Sequence, residues 1–210
     1  MKKVVDIMVD IESAGKKVTA PLLSIGARVF DIKNCKLDEP FFTAITPESA
    51  FNCGIAEADT IQWWMKQSKE AQDNAWNNPD AVHINMALNE FANFIRLQAT
   101  YHNAPVRLWG NAARFDLGIL DYQYDKATLP MPWSFRFEMC YRTLKNCYKS
   151  WPMDRSKELN PDLWKQFDGG VELFHSALYD ANIQALHAIS IAHAFSIDSL
   201  INGDENNGTR

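Results

Sequence analysis

Between residues 4 and 12 an apolar, largely β-branched run (Val4, Val5, Ile7, Met8, Val9, Ile11) carries acidic side chains at Asp6, Asp10 and Glu12. The β-branched density predicts a strand over residues 3–12, which Ser13-Ala14-Gly15 ends. Side chains alternate along a strand, so all three acids point to one face. Asp10 and Glu12 then stand with Cα atoms roughly 6.5–7 Å apart. Neighbouring carboxylates repel each other and resist desolvation. Such a strand is either an edge with one solvated face or an inner strand whose acids are neutralised by a cation. Hard divalent ions such as Mg²⁺ and Mn²⁺ prefer oxygen ligands and suit this pair. Asp6 lies one repeat deeper and is left outside the candidate site, because ligands gather where a strand meets a loop.

The rest of the chain supplies the layers around this strand. Residues 21–32 (PLLSIGARVFDI) and 40–46 (PFFTAIT) read as two further strands, and the short connections predict an antiparallel three-strand meander. Residues 57–70 read as a helix capped by Asp59 or Thr60, and residues 83–98 as another. A short buried strand is expected at 105–110, then a helix at 113–125 capped by Asn111. The segment PMPWSFRF reads as a loop leading into a short strand, with a helix over 138–149. A polar stretch runs on to Gly170, and a last helix covers about 176–195. This order fits an α/β domain with a mixed central sheet, the meander plus parallel strands reached through helical crossovers. Residues 1–200 form one domain and 201–210 a polar tail.

The net charge of −5 argues against a protein that binds through a broad basic surface, yet it is compatible with an acidic metal site. Cys35, Cys53, Cys140 and Cys147 lack CxxC spacing and read as small buried hydrophobes or free thiols, as in a reducing cytosol. Acids interrupt the apolar N-terminal run, against a signal peptide. No run approaches the roughly 18 apolar residues of a membrane span. A cytoplasmic protein with no membrane partner is expected. The seven tryptophans are expected mostly in the core, with a minority available to stack on bases.

Two further segments carry chemistry. In RLWGNAARFDLGIL, Asp116 falls in the first turns of a helix that follows a buried strand, at the carboxyl end where open α/β sheets place ligands. In LFHSALYDANIQAL, Asp180 lies inside a mostly apolar helix and His175 just before it. Read singly, each has an ordinary surface or capping alternative. His187 and His193, six residues apart, match no helical repeat and read as structural.

Taken in order, VDIES with Asp10 and Glu12, NAARFD with Asp116, and HSALYDA with His175 and Asp180 in H-x4-D spacing resemble the three motifs of the DEDD superfamily of 3′→5′ exonucleases. The match is to its histidine-containing, DnaQ-like branch. TIQWW at 60–64, WGN at 109–111 and CYRTL at 140–144 are similar to the ribonuclease T-like members. The resemblance spans residues 4 to about 190 and implies a ribonuclease H-like fold. It implies two divalent cations, Mg²⁺ or Mn²⁺: Asp10 bridges them, Glu12 and Asp180 hold the ion that binds the attacking water, and Asp116 holds the other. His175 serves as general base. The expected activity is removal of nucleoside 5′-monophosphates from the 3′ end of single-stranded RNA or DNA. Expected substrate contacts are Ser13, Gly15, Trp63, Trp64, Asn111, Phe115 and Arg142. A homodimer is an open expectation, since ribonuclease T-like proteins often dimerise. The competing reading is a non-catalytic nucleic-acid-binding module on the same fold, whose mark would be a lost ligand. All four carboxylates and the histidine are present.

Overall fold

A computed structural model describes residues 4–167 and 176–201. The apolar N-terminal run forms β1 (Val5–Ser13), the centre of a five-stranded sheet. β2 (Leu22–Asp31) and β3 (Lys36–Ala44) follow as the antiparallel meander. The chain then passes through α1 (Pro47–Cys53), α2 (Ala58–Trp64), α3 (Lys69–Trp76) and α4 (Ile84–His102). β4 (Val106–Gly110) enters parallel to β1, α5 (Ala113–Lys126) crosses back, and β5 (Glu138–Cys140) joins parallel to β4. α6 (Tyr141–Cys147), α7 (Met153–Leu159), α8 (Pro161–Trp164), α9 (Ala177–Ala194) and α10 (Asp198–Ile201) complete the order. The strands lie in the order β3-β2-β1-β4-β5. This is the expected mixed sheet flanked by helices.

Period-two alternation divides β1 between two cores. Val5, Ile7, Val9 and Ile11 pack with Leu88, Phe91 and Ile95 of α4 and Leu117 and Leu120 of α5. Met8, on the opposite face, packs with Trp109 and with Ala181, Ala185, Ala188 and Ala192 of α9. Those alanines recur at i, i+4, i+7 and i+11, so α9 presents a smooth stripe to the sheet. Gly26 on β2 extends this close approach. A Cβ there would sit 2.1 Å from Leu178 N and 2.2 Å from Ala177 C, so the first turn of α9 rests directly on the strand.

Asp6 belongs to this framework. Its carboxylate accepts hydrogen bonds from Arg107 Nε at 2.5 Å, Arg107 Nη2 at 2.9 Å and Trp109 Nε1 at 2.6 Å, all buried. The acid deepest in β1 is therefore a structural ion pair, as its position in the strand suggested.

Several local expectations are corrected. β3 begins four residues early, because Lys36, Asp38 and Glu39 are exposed at the sheet edge and a lone half-buried Leu37 among them makes no apolar alternation. The expected helix over 57–70 ends at Trp64, and α3 starts separately with Ser68 Oγ accepting from Ala71 N. Neither Asp59 nor Thr60 caps α2; both lie in its first turn, and Glu57 holds the cap position. Asn111 does not cap α5 either, since the helix starts after Ala112, which takes φ 128°. Residues 138–140 are strand, and α6 is shorter than expected. α1, and α7 and α8 within the polar stretch, had no clear periodic signal. The four cysteines are free, but Cys35, Cys53 and Cys140 are half-buried and Cys147 is exposed, so none is a core residue.

Candidate active site

Asp10 and Glu12 project from the end of β1 on the α9 side of the sheet. Asp180, in the first turn of α9, comes to meet them. One carboxylate oxygen from each of the three lies within 4.8 Å of the others. Two oxygens that both touch Mg²⁺ at about 2.0–2.1 Å can be at most about 4.2 Å apart, so these side chains need at most a small inward adjustment to share an ion. Asp116 arrives from α5, which closes over Gly110 at the end of β4. A Cβ at Gly110 would lie 3.0 Å from Asp116 Oδ2. Asp116 is only 2% exposed, and its Oδ2 is buried without a hydrogen-bond partner. A second-row partner holds Asp10: Gln184, one helical turn after Asp180, donates Nε2 to Asp10 Oδ1 at 2.8 Å.

The electrostatics follow from crowding acids in a partly dry site. Burial raises the Asp10 carboxyl well above its ordinary range, and Asp116, Glu12 and Asp180 add to the rise, against the opposing hydrogen bond from Gln184. Glu12 is raised in the same way, by burial and then by Asp180 and Asp116. Burial pushes Asp116 up to about 7, despite the backbone N–H groups of Asp116 and Asn111 and the nearby Arg142 guanidinium. Among the described residues, Asp10, Glu12 and Asp116 form no salt bridge. An all-oxygen donor set, mutually repelling carboxylates and an orphaned buried oxygen are what a divalent cation relieves.

A cavity of about 410 Å³ opens beside Glu12. Ile11, Trp63, Trp64 and Phe115 form its apolar wall, with Ser13, Gly15, Lys16, Asp59 and Thr60 around them. Trp64 is buried and fixed by its Nε1 donating to Ser13 O at 3.0 Å, whereas Trp63 is 42% exposed at an edge-on angle to it. Glu57 pins the loop after Glu12, its carboxylate accepting the backbone N–H of Lys16 at 2.5 Å and of Lys17 at 3.2 Å. Lys16 and Asp59 pair across the rim.

A model of the Rv2179c-like 3′-5′ exoribonuclease domain matches residues 5–192. The chain belongs to this family. No curated protein matches it in sequence. Among solved structures it resembles the nuclease domain of 3′hExo, a DEDDh family member bound to rAMP, at 14% identity over 90% of this chain and 92% of that one, with a TM-score of 0.58. It also resembles Exonuclease X in complex with 5′-overhanging duplex DNA, at 14% identity over 91% and 93% of the two chains, with a TM-score of 0.53. E. coli Exonuclease I in complex with an oligonucleotide gives 16% identity, 95% of this chain but 42% of that one, and a TM-score of 0.54. At these identities the likeness is one of fold, that of the DEDDh exonucleases.

Within this Rv2179c-like domain, the structure gathers Asp10, Glu12 and Asp180 into one cluster and leaves Asp116 beside it. Ser13, Gly15, Trp63, Trp64 and Phe115 line one cavity. Asn111 and Arg142 do not line it; they lie on the Asp116 side. His175 lies outside the described residues. His187 is structural: its Nδ1 meets Tyr141 Oη at 2.7 Å and its Nε2 meets Trp151 O at 2.8 Å. His193 Nε2 meets Ile32 O at 2.6 Å. Three contributors escaped the sequence reading. Gln184 was findable, because it stands at i+4 from Asp180 and must share its face. Thr60 and the Lys16–Asp59 pair carried no such signal. Among the described residues, no helix is long and apolar enough to cross a membrane.

Proposed function

We propose that this chain is a metal-dependent 3′→5′ exoribonuclease that removes nucleoside 5′-monophosphates from single-stranded RNA ends. The observation that carries the proposal is the meeting of Asp10 and Glu12 with Asp180, with Asp116 close enough to raise the Asp10 carboxyl, beside a cavity with an aromatic wall. The family description favours RNA over DNA. Asp10, Glu12 and Asp180 would hold one cation, and Asp10 with Asp116 a second. A pair of such ions, when bound, offsets charge on the attacking and leaving oxygens of the phosphodiester and makes a bound water more acidic.

The protein's own groups have distinct tasks. Gln184 orients Asp10 by its hydrogen bond. His175 takes the proton from the attacking water; an ordinary histidine pKa near 6.5 suits that task close to neutrality. Phe115 and Trp63 stack the terminal base against the wall that Trp64 fixes, each stack contributing about 1–3 kcal/mol. Stacking reads a π-face that every base has, so little base preference follows. Ser13 and Gly15 approach the terminal sugar. Arg142 offsets phosphate charge near Asp116, and Asn111 borders the same side.

The test is digestion of 5′-labelled single-stranded RNA with Mn²⁺ or Mg²⁺, with a circular RNA as control. A ladder shortening from the 3′ end, release of 5′-monophosphates, an intact circle and loss of activity in Asp10→Asn are expected. Cleavage of the circle, or full activity in Asp10→Asn or with chelator, refutes the proposal.

A further inference from the structure

The cavity beside Glu12 contains a polar group with hydrogen-bonding capacity in reserve. Its other polar residues are committed. Ser13 Oγ donates to Gly15 O at 2.7 Å. Lys16 and Asp59 are paired with each other. Glu12 belongs to the carboxylate cluster. Thr60, in the first turn of α2, also lines the cavity, yet its Oγ1 is buried and has no hydrogen-bond partner. An unpaired buried hydroxyl is unfavourable, and isosteric valine would remove that cost without changing the wall's shape. On a helix, threonine splits between two χ1 rotamers, so its hydroxyl can turn toward a partner arriving in the cavity. A hydroxyl both donates and accepts, which makes it a natural partner for another hydroxyl.

The wall around Thr60 is aromatic and aliphatic, made by Trp63, Trp64, Phe115 and Ile11, and suits a base rather than a sugar edge. The incoming hydroxyl is therefore one on the sugar next to that base. We infer that Thr60 reads the 2′-hydroxyl of the terminal ribose and so helps this site discriminate RNA ends from DNA ends. This inference rests on the nuclease reading above and adds to it a residue that sets sugar selectivity.

The experiment compares two oligoribonucleotides that differ only at the 3′-terminal residue, one ending in a ribonucleotide and one in a 2′-deoxyribonucleotide. Rates of first-nucleotide release are measured for wild type, Thr60→Val and Thr60→Ser. Wild type favours the ribose end. Thr60→Val lowers the ribose-to-deoxyribose ratio of kcat/KM by about 2–12-fold, the range of one neutral hydrogen bond, and Thr60→Ser keeps most of it. Thr60→Val should melt no lower than wild type, because the orphaned hydroxyl is gone. A ratio unchanged in Thr60→Val, or both substrates slowed equally, overturns the inference. Should Thr60→Val fail to fold, Thr60→Ala reports the same ratio. Where wild type cleaves RNA, Asp10→Asn does not, and the Thr60 variants keep the wild-type ratio, this inference alone falls. Where wild type cleaves neither substrate with either metal, the nuclease reading falls first.

Discussion

Replacing Gly26 by alanine tests how the fold delivers Asp180 to the site. Gly26 pairs with Asp10 across β1 and β2, and α9 begins on top of it. A Cβ at this position would meet Leu178 N at 2.1 Å, Ala177 C at 2.2 Å and Ala177 O at 2.5 Å. Ordinary contact begins at 3.4 Å, so relief requires movement of about 1.3 Å. The opposing atoms are helix backbone, which cannot rotate away as a side chain would. The first turn of α9 must lift or the strand must bend. Overpacking of this kind costs about 1–3 kcal/mol. At about 2–4 °C per kcal/mol for a chain of this length, Tm should fall by roughly 2–12 °C. Asp180 lies two residues beyond Leu178 and moves with it. A displacement near 1 Å at a reacting centre costs about 100-fold in rate, so kcat should fall by about that factor and Mn²⁺ binding should weaken. Mononucleotide release at a temperature well below Tm gives the rate, and calorimetric titration gives the metal affinity. Ala27→Gly is the control: Ala27 is buried in the opposite core, so its loss lowers Tm without touching α9. Wild-type rate and metal affinity in folded Gly26→Ala would refute the account of how α9 is seated.

Other perturbations separate framework from chemistry. Asp6→Ala leaves Arg107 buried without its partner and should destabilise by about 3–5 kcal/mol in urea unfolding, while activity per folded molecule persists; inactivation with no stability loss would place Asp6 in the site instead. Asp10→Asn removes the carboxylate proposed to be shared by two cations, and the loss of several kcal/mol of transition-state stabilisation should lower kcat by at least about 100–1,000-fold. The same change removes a repelling charge, so the metal-free variant should melt no lower than metal-free wild type. The acids also set a pH dependence. Asp116 is raised from 3.8 to about 7 on folding, so the folded protein binds this proton more tightly than the unfolded chain does. Its stability contribution is complete below pH 3.8 and is lost as pH rises through about 7; Asp10 and Glu12 act in the same direction. Mn²⁺ replaces those protons, so at 100 times its Kd it should add about 2.7 kcal/mol, roughly 5–11 °C in Tm, at pH 8 and clearly less at pH 5. An equal Tm rise at both pH values would show that the ion does not bind the raised carboxylates.

The sequence exposed the sheet centre and the site more fully than the periphery, for physical reasons. β1 and β2 are buried on both faces, so composition alone marks them as strands. β3 is an edge, and of its first four residues Lys36, Asp38 and Glu39 answer to solvent while Leu37 alone reaches a core. α7 and α8 are short, and the tryptophans just before α7 and at the end of α8 are anchored by indole donors, Trp151 Nε1 to Ser190 Oγ and Trp164 Nε1 to Ser156 Oγ, rather than by an apolar stripe. The carboxylates were legible because their motifs are local. What the motifs could not show was spacing across the fold: Asp116 stands outside the three-acid cluster, and Trp63 and Trp64, adjacent in sequence, divide into an exposed ring and a buried one.

Glycines explain how acids from distant segments come so close. β1 carries Asp10 between two neighbours, and each neighbour has a glycine within one residue of its level: Gly26 on β2 opposite Asp10, and Gly110 on β4 opposite Val9. At Gly26 the missing side chain lets α9 settle onto the sheet and bring Asp180 in. At Gly110 it lets α5 close in from the other side, until Asp116 Oδ2 would stand 3.0 Å from a Cβ. Any side chain at either point would hold one helix off and widen the distance between carboxylates. The repulsion among the acids opposes the same approach, and it is overcome by the apolar packing of two helices far larger than the site itself. The site is thus held in a high-energy arrangement by the core; protons relieve it at low pH, and a divalent cation would turn the opposition among the carboxylates into attraction where they are ionised.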